Sequence, residues 1–185
     1  MSIPHKAAMQ YLITADRAVT FRLNRLSRWR AIRTFFRIVS SLGDGKFWYA
    51  LIILIAAVNG MPGVICGIQL TLTGLLTLAI YKAVKGVTQR PRPGVVHAQI
   101  LAGTMVLDEY SFPSGHTMHA VMFTTVAGNL VPELLPILMI FTVLVAASRI
   151  VLGLHYPTDV MLGALFGYAI GLVSLWSFSG ISAAV

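Results

Sequence analysis

Residues 64–84 read VICGIQLTLTGLLTLAIYKAV, 21 positions in which Lys82 is the only charge. At about 1.5 Å of rise per residue, such a helix crosses the roughly 30 Å hydrocarbon core of a bilayer. Working outward, three further long apolar stretches follow the same logic: Phe47–Gly60, Leu134–Leu152 and Val160–Phe178. A fifth, Thr117–Leu130, is more polar and carries His119, Thr124, Thr125 and Asn129. A polar helix is tolerated at membrane depth when its polar face turns into a bundle. The expected fold is therefore an all-α, polytopic membrane bundle of about five transmembrane helices, with six possible.

Composition agrees. The 185-residue chain is 57% hydrophobic and 11% charged, against about 25% charged residues in an average soluble domain. Mean hydropathy is +0.80, which excludes intrinsic disorder. A single cysteine, Cys66, excludes a disulfide scaffold. Lys and Arg number 14 against 6 Asp and Glu, for a net charge of +8. Such an excess marks either nucleic acid or an anionic membrane as partner. In so apolar a chain it marks membrane lipid and no nucleic acid.

The N-terminal segment differs. Arg17, Arg22, Arg25, Arg28, Arg30, Arg33 and Arg37 rule out a spanning helix there. From Trp29 onward, Trp29, Ile32, Phe36 and Val39 share one helical face, with Arg30, Arg33 and Arg37 roughly opposite. That pattern predicts an N-terminal amphipathic helix lying in the membrane interface, with Ser27 as a candidate cap before it. The alternative is a solvated basic arm. An apolar h-region and a small-residue cleavage site are both missing, so the segment does not read as a signal peptide. The expected division is residues 1–46 as a basic interfacial segment and 47–185 as a transmembrane catalytic domain.

Loop lengths set the topology. Gly60–Gly63 and Val131–Glu133 are short turns, whereas Lys85–Phe112 is a long connection, of the kind that usually carries function. Counting crossings puts the long loop and the Gly153–Thr158 turn at the same end. Lys82, Lys85, Arg90, Arg92, His97, Asp108, Glu109, Ser114, His116, His119, Arg149, His155 and Asp159 gather there.

Lys85, Arg92 and Arg149 are cations forced into a small volume, which is unfavourable unless an anion lies between them. The planar fork of arginine suits phosphate oxygens. Phe112-Pro113-Ser114-Gly115-His116 reads as a helix start with Ser114 as N-cap. Its free N–H groups favour an anion, and Gly115 permits close approach of the backbone. His155 precedes Asp159 by four residues, with Pro157 placed to open the last helix. If that turn is helical, Asp159 reaches one imidazole nitrogen and leaves the other free to attack. His116 is placed to protonate a leaving oxygen. These groups suffice for phosphoryl transfer through a phosphohistidine, with no metal and no cofactor required.

Three strings carry a family pattern: Lys85 through Arg92-Pro93 reads K-x6-R-P, residues 113–116 read P-S-G-H, and Ser148-Arg149 through His155 to Asp159 reads S-R-x5-H-x3-D. The chain resembles the type 2 phosphatidic acid phosphatase (PAP2) superfamily, in its membrane lipid phosphatase branch, over roughly residues 40–178. The resemblance implies an all-helical, metal-independent enzyme. It implies His155 as nucleophile, Asp159 as its orienting partner and His116 as general acid. Lys85, Arg92, Ser114, Gly115 and Arg149 are implied as phosphate ligands. Vanadium haloperoxidases share the motifs but are soluble, so the spans favour the lipid phosphatase branch.

Other residues read as structural. His119 is expected to make a polar bundle contact or touch substrate. Arg90 reads equally as a lipid contact or a catalytic group. Asp108 and Glu109 are expected to pair with cations or lie in solvent. Gly163, Gly167 and Gly171 form a small-residue stripe for helix packing. Met118, Met122 and Met139 are expected to pack or face lipid, and Cys66 to pack as a small apolar residue.

The expected function is hydrolysis of a lipid phosphate or diphosphate, foremost a polyprenyl diphosphate such as undecaprenyl diphosphate. Phosphatidic acid, phosphatidylglycerol phosphate and a lipid A phosphate are alternatives. An anion channel would need charges within the span, and a plain membrane anchor leaves His155 and Asp159 unexplained. Oligomeric state is left open. The expected location is the bacterial cytoplasmic membrane. All 14 basic residues fall on the active-site side, so the positive-inside rule favours a cytoplasmic active site, although many bacterial relatives work on the outer face.

Overall fold

The computed structural model describes residues 3–103 and 109–182, with side chains described for 7–103 and 109–179; Asp108 lies outside them. Among the described residues the chain is helical, and the only strand-like pairing is one antiparallel bridge between Pro91 and Tyr110. Helix α1 spans Ile3–Asn24 and ends in a 3-10 turn, Arg25–Arg28. Helix α2 spans Arg30–Ser41, passes through a π-turn at Leu42–Lys46, and continues as α3, Phe47–Val58. Then come α4 (Gly60–Thr88), the short α5 (Pro93–Val96), α6 (Gly115–Leu130), α7 (Leu135–Val151) and α8 (Pro157–Ser182).

Among the described residues, four helical runs are long and apolar enough to cross a bilayer: Arg30–Val58, Gly60–Thr88, Pro132–Val151 and Pro157–Ser179. The first takes α2 and α3 together across a kink at Gly45 (φ 119°), so it begins inside the basic segment where no spanning helix was expected. The junction of residues 46 and 47 is the end of the π-turn. Helix α6, at 16 residues, is about 24 Å long and sits inside the bundle with Met118, Ala120, Met122, Val126 and Ala127 buried. Its polar residues face neighbours, as a helix at that depth requires: the Thr124 and Thr142 hydroxyls meet at 2.6 Å.

The core lies where α3, α4, α6 and α7 meet. Trp48 stacks on Phe123 at 4.9 Å between ring centroids, and Phe47 meets Phe141 at 4.1 Å. Leu70, Val126, Leu138 and Val145 complete it, fully buried. Outward-facing positions remain apolar, among them Ile53, Val58, Ile140, Val143, Leu165 and Trp176. A belt of this kind is stable only against lipid. At depth, Gln69 and Thr73 of α4 bond the Ser174 hydroxyl of α8 at 3.2 and 2.7 Å.

The glycine stripe does what its spacing predicts. A Cβ on Gly163 would lie 2.8 Å from the Ser114 carbonyl oxygen, and one on Gly167 would lie 2.2 Å from that of Met118. Helices α6 and α8 therefore touch backbone to backbone. Of the methionines, Met118 and Met122 are buried and Met139 is exposed. Cys66 is buried in the core.

Helix α1 folds back over the long-loop end. The Asn24 amide donates to the carbonyls of Val151 and Leu101 at 2.9 and 3.0 Å and accepts from the Leu101 N–H at 2.9 Å. Ser27 is not a helix cap. Its hydroxyl donates to the Val151 carbonyl at 2.6 Å, and the residue before α2 is Trp29, which makes no side-chain cap bond. The last α7 carbonyls were the stronger claim on a buried hydroxyl.

Candidate active site

The charged end of the bundle encloses a cavity of about 700 Å³. Its polar walls include Lys85, Arg92, Gly115, His116, Arg149, His155, Arg37 and Asp44; its apolar walls include Ile52, Ile53, Leu75 and Leu78. Of the expected residues, Lys85, Arg92, Gly115, His116, Arg149 and His155 line it, whereas Ser114 and Asp159 are fully buried and do not, and each position has a local cause.

Lys85 closes α4, whose last turn stops at Gln89 in a left-handed conformation (φ 46°). Its ammonium donates to the Tyr110 carbonyl at 3.0 Å. Arg92 follows on the Pro91–Tyr110 bridge, 4% exposed, and donates to the Leu154 carbonyl at 2.8 Å. The same guanidinium nitrogen lies 3.3 Å from His155 Nε2. Arg149 ends α7 and bonds the Ser40 hydroxyl of α2. Ser114 is the N-cap residue of α6, but its hydroxyl pairs with that of Thr117 at 2.9 Å rather than with a backbone N–H. Its own N–H donates to the Asp159 carbonyl at 3.0 Å, which joins the starts of α6 and α8.

His155 is delivered by the turn after α7, which Gly153 makes possible at φ 69°. It is 1% exposed. Burial, then the cations Arg149, Arg92 and Lys85, hold its imidazole well below the usual histidine pKa. A neutral ring with Nε2 toward the cavity is what a nucleophile needs. Pro157 opens α8 as expected. Asp159 does not hydrogen-bond the imidazole, however. Its Oδ2 lies 3.8 Å from His155 Nδ1 and accepts the Tyr156 N–H at 2.8 Å instead. The Ser111 carbonyl, at 2.6 Å, takes the Nδ1 position. A helix-capping bond was available to the carboxylate within its own turn, and it satisfies a backbone donor that would otherwise be orphaned.

Two further acidic residues, absent from the sequence-level reading, complete the site. Asp44 sits in the π-turn between α2 and α3, where Gly45 adopts φ 119°. The turn is pressed against α7 because Gly43 has no side chain, and a Cβ there would lie 3.2 Å from Val145. The Asp44 carboxylate thereby meets His116 Nε2. Asp16 of α1 and Asp159 both pair with Arg90, at 2.8 and 2.5 Å. Arg90 thus pairs within the protein and is not among the residues that line the cavity. It lies behind Asp159, with its guanidinium 4.2 Å from the centre of the Tyr156 ring. Burial opposes its charge, and Asp159 and Asp16 more than offset this, so its pKa is raised. No sequence signal singled out Asp16 or Asp44, because each lies far along the chain from its partner.

His119 makes the expected bundle contacts, with its ring nitrogens 3.0 and 3.1 Å from the Gly115 and Gly74 carbonyls; it also lines the cavity. Glu109 is exposed. Among the described residues no group of three or more His, Cys, Asp or Glu is arranged to hold a metal ion.

Comparisons with known proteins agree with this geometry. The crystal structure of Aquifex aeolicus LpxE superposes with a TM-score of 0.72 at 29% identity, covering 84% of this chain and 92% of that one. That of a transmembrane PAP2 type phosphatidylglycerolphosphate phosphatase from Bacillus subtilis gives 0.74 at 24% identity, covering 92% and 88%, a likeness of fold. Among curated sequences, the decaprenylphosphoryl-5-phosphoribose phosphatase of Mycobacterium tuberculosis is 32% identical over 95 residues, 51% of each chain. Phosphatidylglycerophosphatase B of Escherichia coli is 36% identical over 72 residues, 36% of this chain and 28% of that one. The chain thus spans about half the length, or less, of the curated relatives it matches. The profile of the PAP2 superfamily matches residues 64–182, which hold every motif residue described above, and the chain belongs to that superfamily.

Proposed function

We propose that this protein is a membrane phosphatase that hydrolyses a lipid phosphate or diphosphate through a phosphohistidine. The observation that carries the reading is a single cavity joining a cationic cluster to an apolar groove between α3 and α4. Along α4 the walls run from Lys85 through Tyr81, Leu78 and Leu75 to Thr71, roughly 20 Å at the helical rise. A soluble phosphate ester has no use for such a groove, whereas a lipid tail fills it.

In this mechanism Lys85, Arg92, Arg149 and the N-terminal N–H groups of α6 hold the phosphoryl oxygens. His155 Nε2 attacks phosphorus, forming a P–N bond as the bond to the leaving oxygen breaks. His116 gives that oxygen its proton, with Asp44 stabilising the cationic imidazole beforehand. Water then attacks the phosphorus of the phosphohistidine, its proton passing to His116, and the P–N bond breaks to restore His155 and release inorganic phosphate. Positive charge developing on the His155 ring is met by the Ser111 carbonyl and by Asp159 nearby. Catalysis rests on positioning and charge stabilisation.

Within that class we favour a polyprenyl diphosphate such as undecaprenyl diphosphate. Four cations, Arg37, Lys85, Arg92 and Arg149, line the cavity against one carboxylate, Asp44, which suits a diphosphate better than a monoester. Similarity to two curated phosphatases, one of a decaprenyl-linked phosphoribose and one of phosphatidylglycerophosphate, favours a monoester as the second reading. The basic α1–α2 segment is read as lying on anionic lipid, with the active site on the cytoplasmic face of the bacterial inner membrane by the positive-inside rule. Phosphate release by the purified protein from undecaprenyl diphosphate, phosphatidic acid, phosphatidylglycerol phosphate and a lipid A phosphate tests the reading. Release that persists in His155→Ala would overturn it. For sidedness, a cysteine near Ser2 in a chain lacking Cys66 should resist an impermeant thiol reagent added to intact cells; labelling from outside would reverse the assignment.

A further inference from the structure

The N-terminal helix α1 reaches into the reaction centre through one side chain. Asp16 is 5% exposed although α1 is otherwise largely on the surface. Its carboxylate accepts the Thr158 N–H at 3.0 Å and the Thr158 hydroxyl at 2.5 Å, so a residue of α1 caps the start of α8. The same carboxylate accepts from Arg90 at 2.8 Å, and Arg90 donates onward to Thr158 and to Asp159 at 2.8 and 2.5 Å. Asp159 is fully buried, and a buried carboxylate requires a countercharge. Among the described residues its ion pair is with Arg90, while the neutral imidazole of His155 lies 3.8 Å away.

Arg90 also governs the other group that orients His155. Its backbone carbonyl accepts the Ser111 N–H at 2.8 Å and the Ser111 hydroxyl at 3.2 Å. The Ser111 carbonyl in turn faces His155 Nδ1 at 2.6 Å. One residue therefore holds both groups on the Nδ1 side of the imidazole: Asp159 through its guanidinium and Ser111 through its backbone.

We infer that Asp16 and Arg90 are positioning residues for the reaction, and that α1 is a working part of the active site as well as a membrane-facing arm. The inference rests on the phosphatase reading above. Lys85, Arg92 and Arg149 line the cavity and contact substrate, while Arg90 stands behind Asp159. Its loss should therefore lower kcat and leave KM nearly unchanged. A misplaced nucleophile costs on the order of 10²-fold in rate. Removing the Arg90 side chain leaves a gap that reaches the surface, since that side chain is 28% exposed, so guanidinium from solution can enter it.

The test is phosphate release from undecaprenyl diphosphate and from phosphatidic acid in detergent micelles, with thermal stability measured in parallel. Arg90→Ala should lower kcat about 10²-fold with KM within about threefold, and millimolar guanidinium should restore it about tenfold. Asp16→Asn should lower kcat about tenfold, and Asp16→Glu should recover part of it. Arg25→Ala, an exposed cation on the same arm, should leave kcat intact. If Arg90→Ala does not fold, Arg90→Lys and Asp16→Asn decide the matter by the same split. Full kcat in the Arg90 and Asp16 variants would overturn the inference. So would a loss that guanidinium does not relieve, or one that Arg25→Ala shares. A wild-type protein inert on all four lipid phosphates named above, or an active His155→Ala, would instead overturn the phosphatase reading and this inference with it.

Discussion

The backbone contact between α6 and α8 offers a quantitative test of how the fold holds the site. A Cβ added at Gly167 would lie 2.2 Å from the Met118 carbonyl oxygen, a backbone atom that no rotamer change can move. That is about 1 Å short of the roughly 3.3 Å at which a carbon and a carbonyl oxygen normally meet. Gly167→Ala therefore forces α6 and α8 apart by about 1 Å. The two helices carry adjoining parts of the site: Ser114, Gly115 and His116 begin α6, and Asp159 lies in the first turn of α8. Overpacking of this kind costs about 1–3 kcal/mol, or a fall in Tm of about 3–10 °C for a chain of this size. A displacement of about 1 Å between reacting groups costs about 10²-fold in rate. Gly171→Ala is the control: its Cβ would meet Thr125 Cβ and Cγ2 at 2.8 and 2.9 Å, a milder clash between the same helices about one turn farther from the site. The assay is phosphate release alongside thermal unfolding in detergent. If Gly167→Ala kept kcat within threefold of wild type, or if Gly171→Ala lost as much, the claim that α6–α8 spacing sets the site geometry would fail.

Three other outcomes are expected. Asp44→Asn should lower kcat by about 10–100-fold, with the larger loss on monoesters whose leaving alkoxide most needs a proton; equal losses on all leaving groups would separate Asp44 from acid catalysis. His155 is buried neutral, with its folded pKa held well below 6.5, so the unfolded chain binds more protons just below pH 6.5 and wild-type stability should fall as pH drops through that point. His155→Gln should flatten the fall, as read from Tm between pH 7 and pH 5, and an identical slope would refute it. Leu78→Trp narrows the groove beside Tyr81 and should raise KM for long-chain lipid phosphates about tenfold while sparing a short-chain analogue; equal effects on both would place the tail elsewhere.

The spans and the motif residues were legible in the sequence because both are local signals. An apolar run of about 20 residues has few alternatives to a membrane helix. Lys85, Arg92, Ser114, His116, Arg149 and His155 lie at helix ends that the turn residues beside them announce. The expectation that Asp159 bonds His155 was built on the same local logic. It missed because two local partners competed for one carboxylate, and the Tyr156 N–H prevailed. For Arg90, local context left two roles open, and its two carboxylate partners come from helices that are remote in the chain.

The bundle, its charged end and the chemistry available there follow from residue order, since hydropathy and turn chemistry act over a few neighbours. What holds the reactive groups in register does not. Asp16, Asp44 and the Ser111 carbonyl gain their roles from long-range packing: α1 folding over the start of α8, Gly43 letting the π-turn press on α7, and the Pro91–Tyr110 bridge seating Ser111. A carboxylate or a carbonyl looks the same in any sequence. Its effect depends on the charge a few ångströms away, and in a buried, low-dielectric site that neighbour is chosen by the tertiary fold.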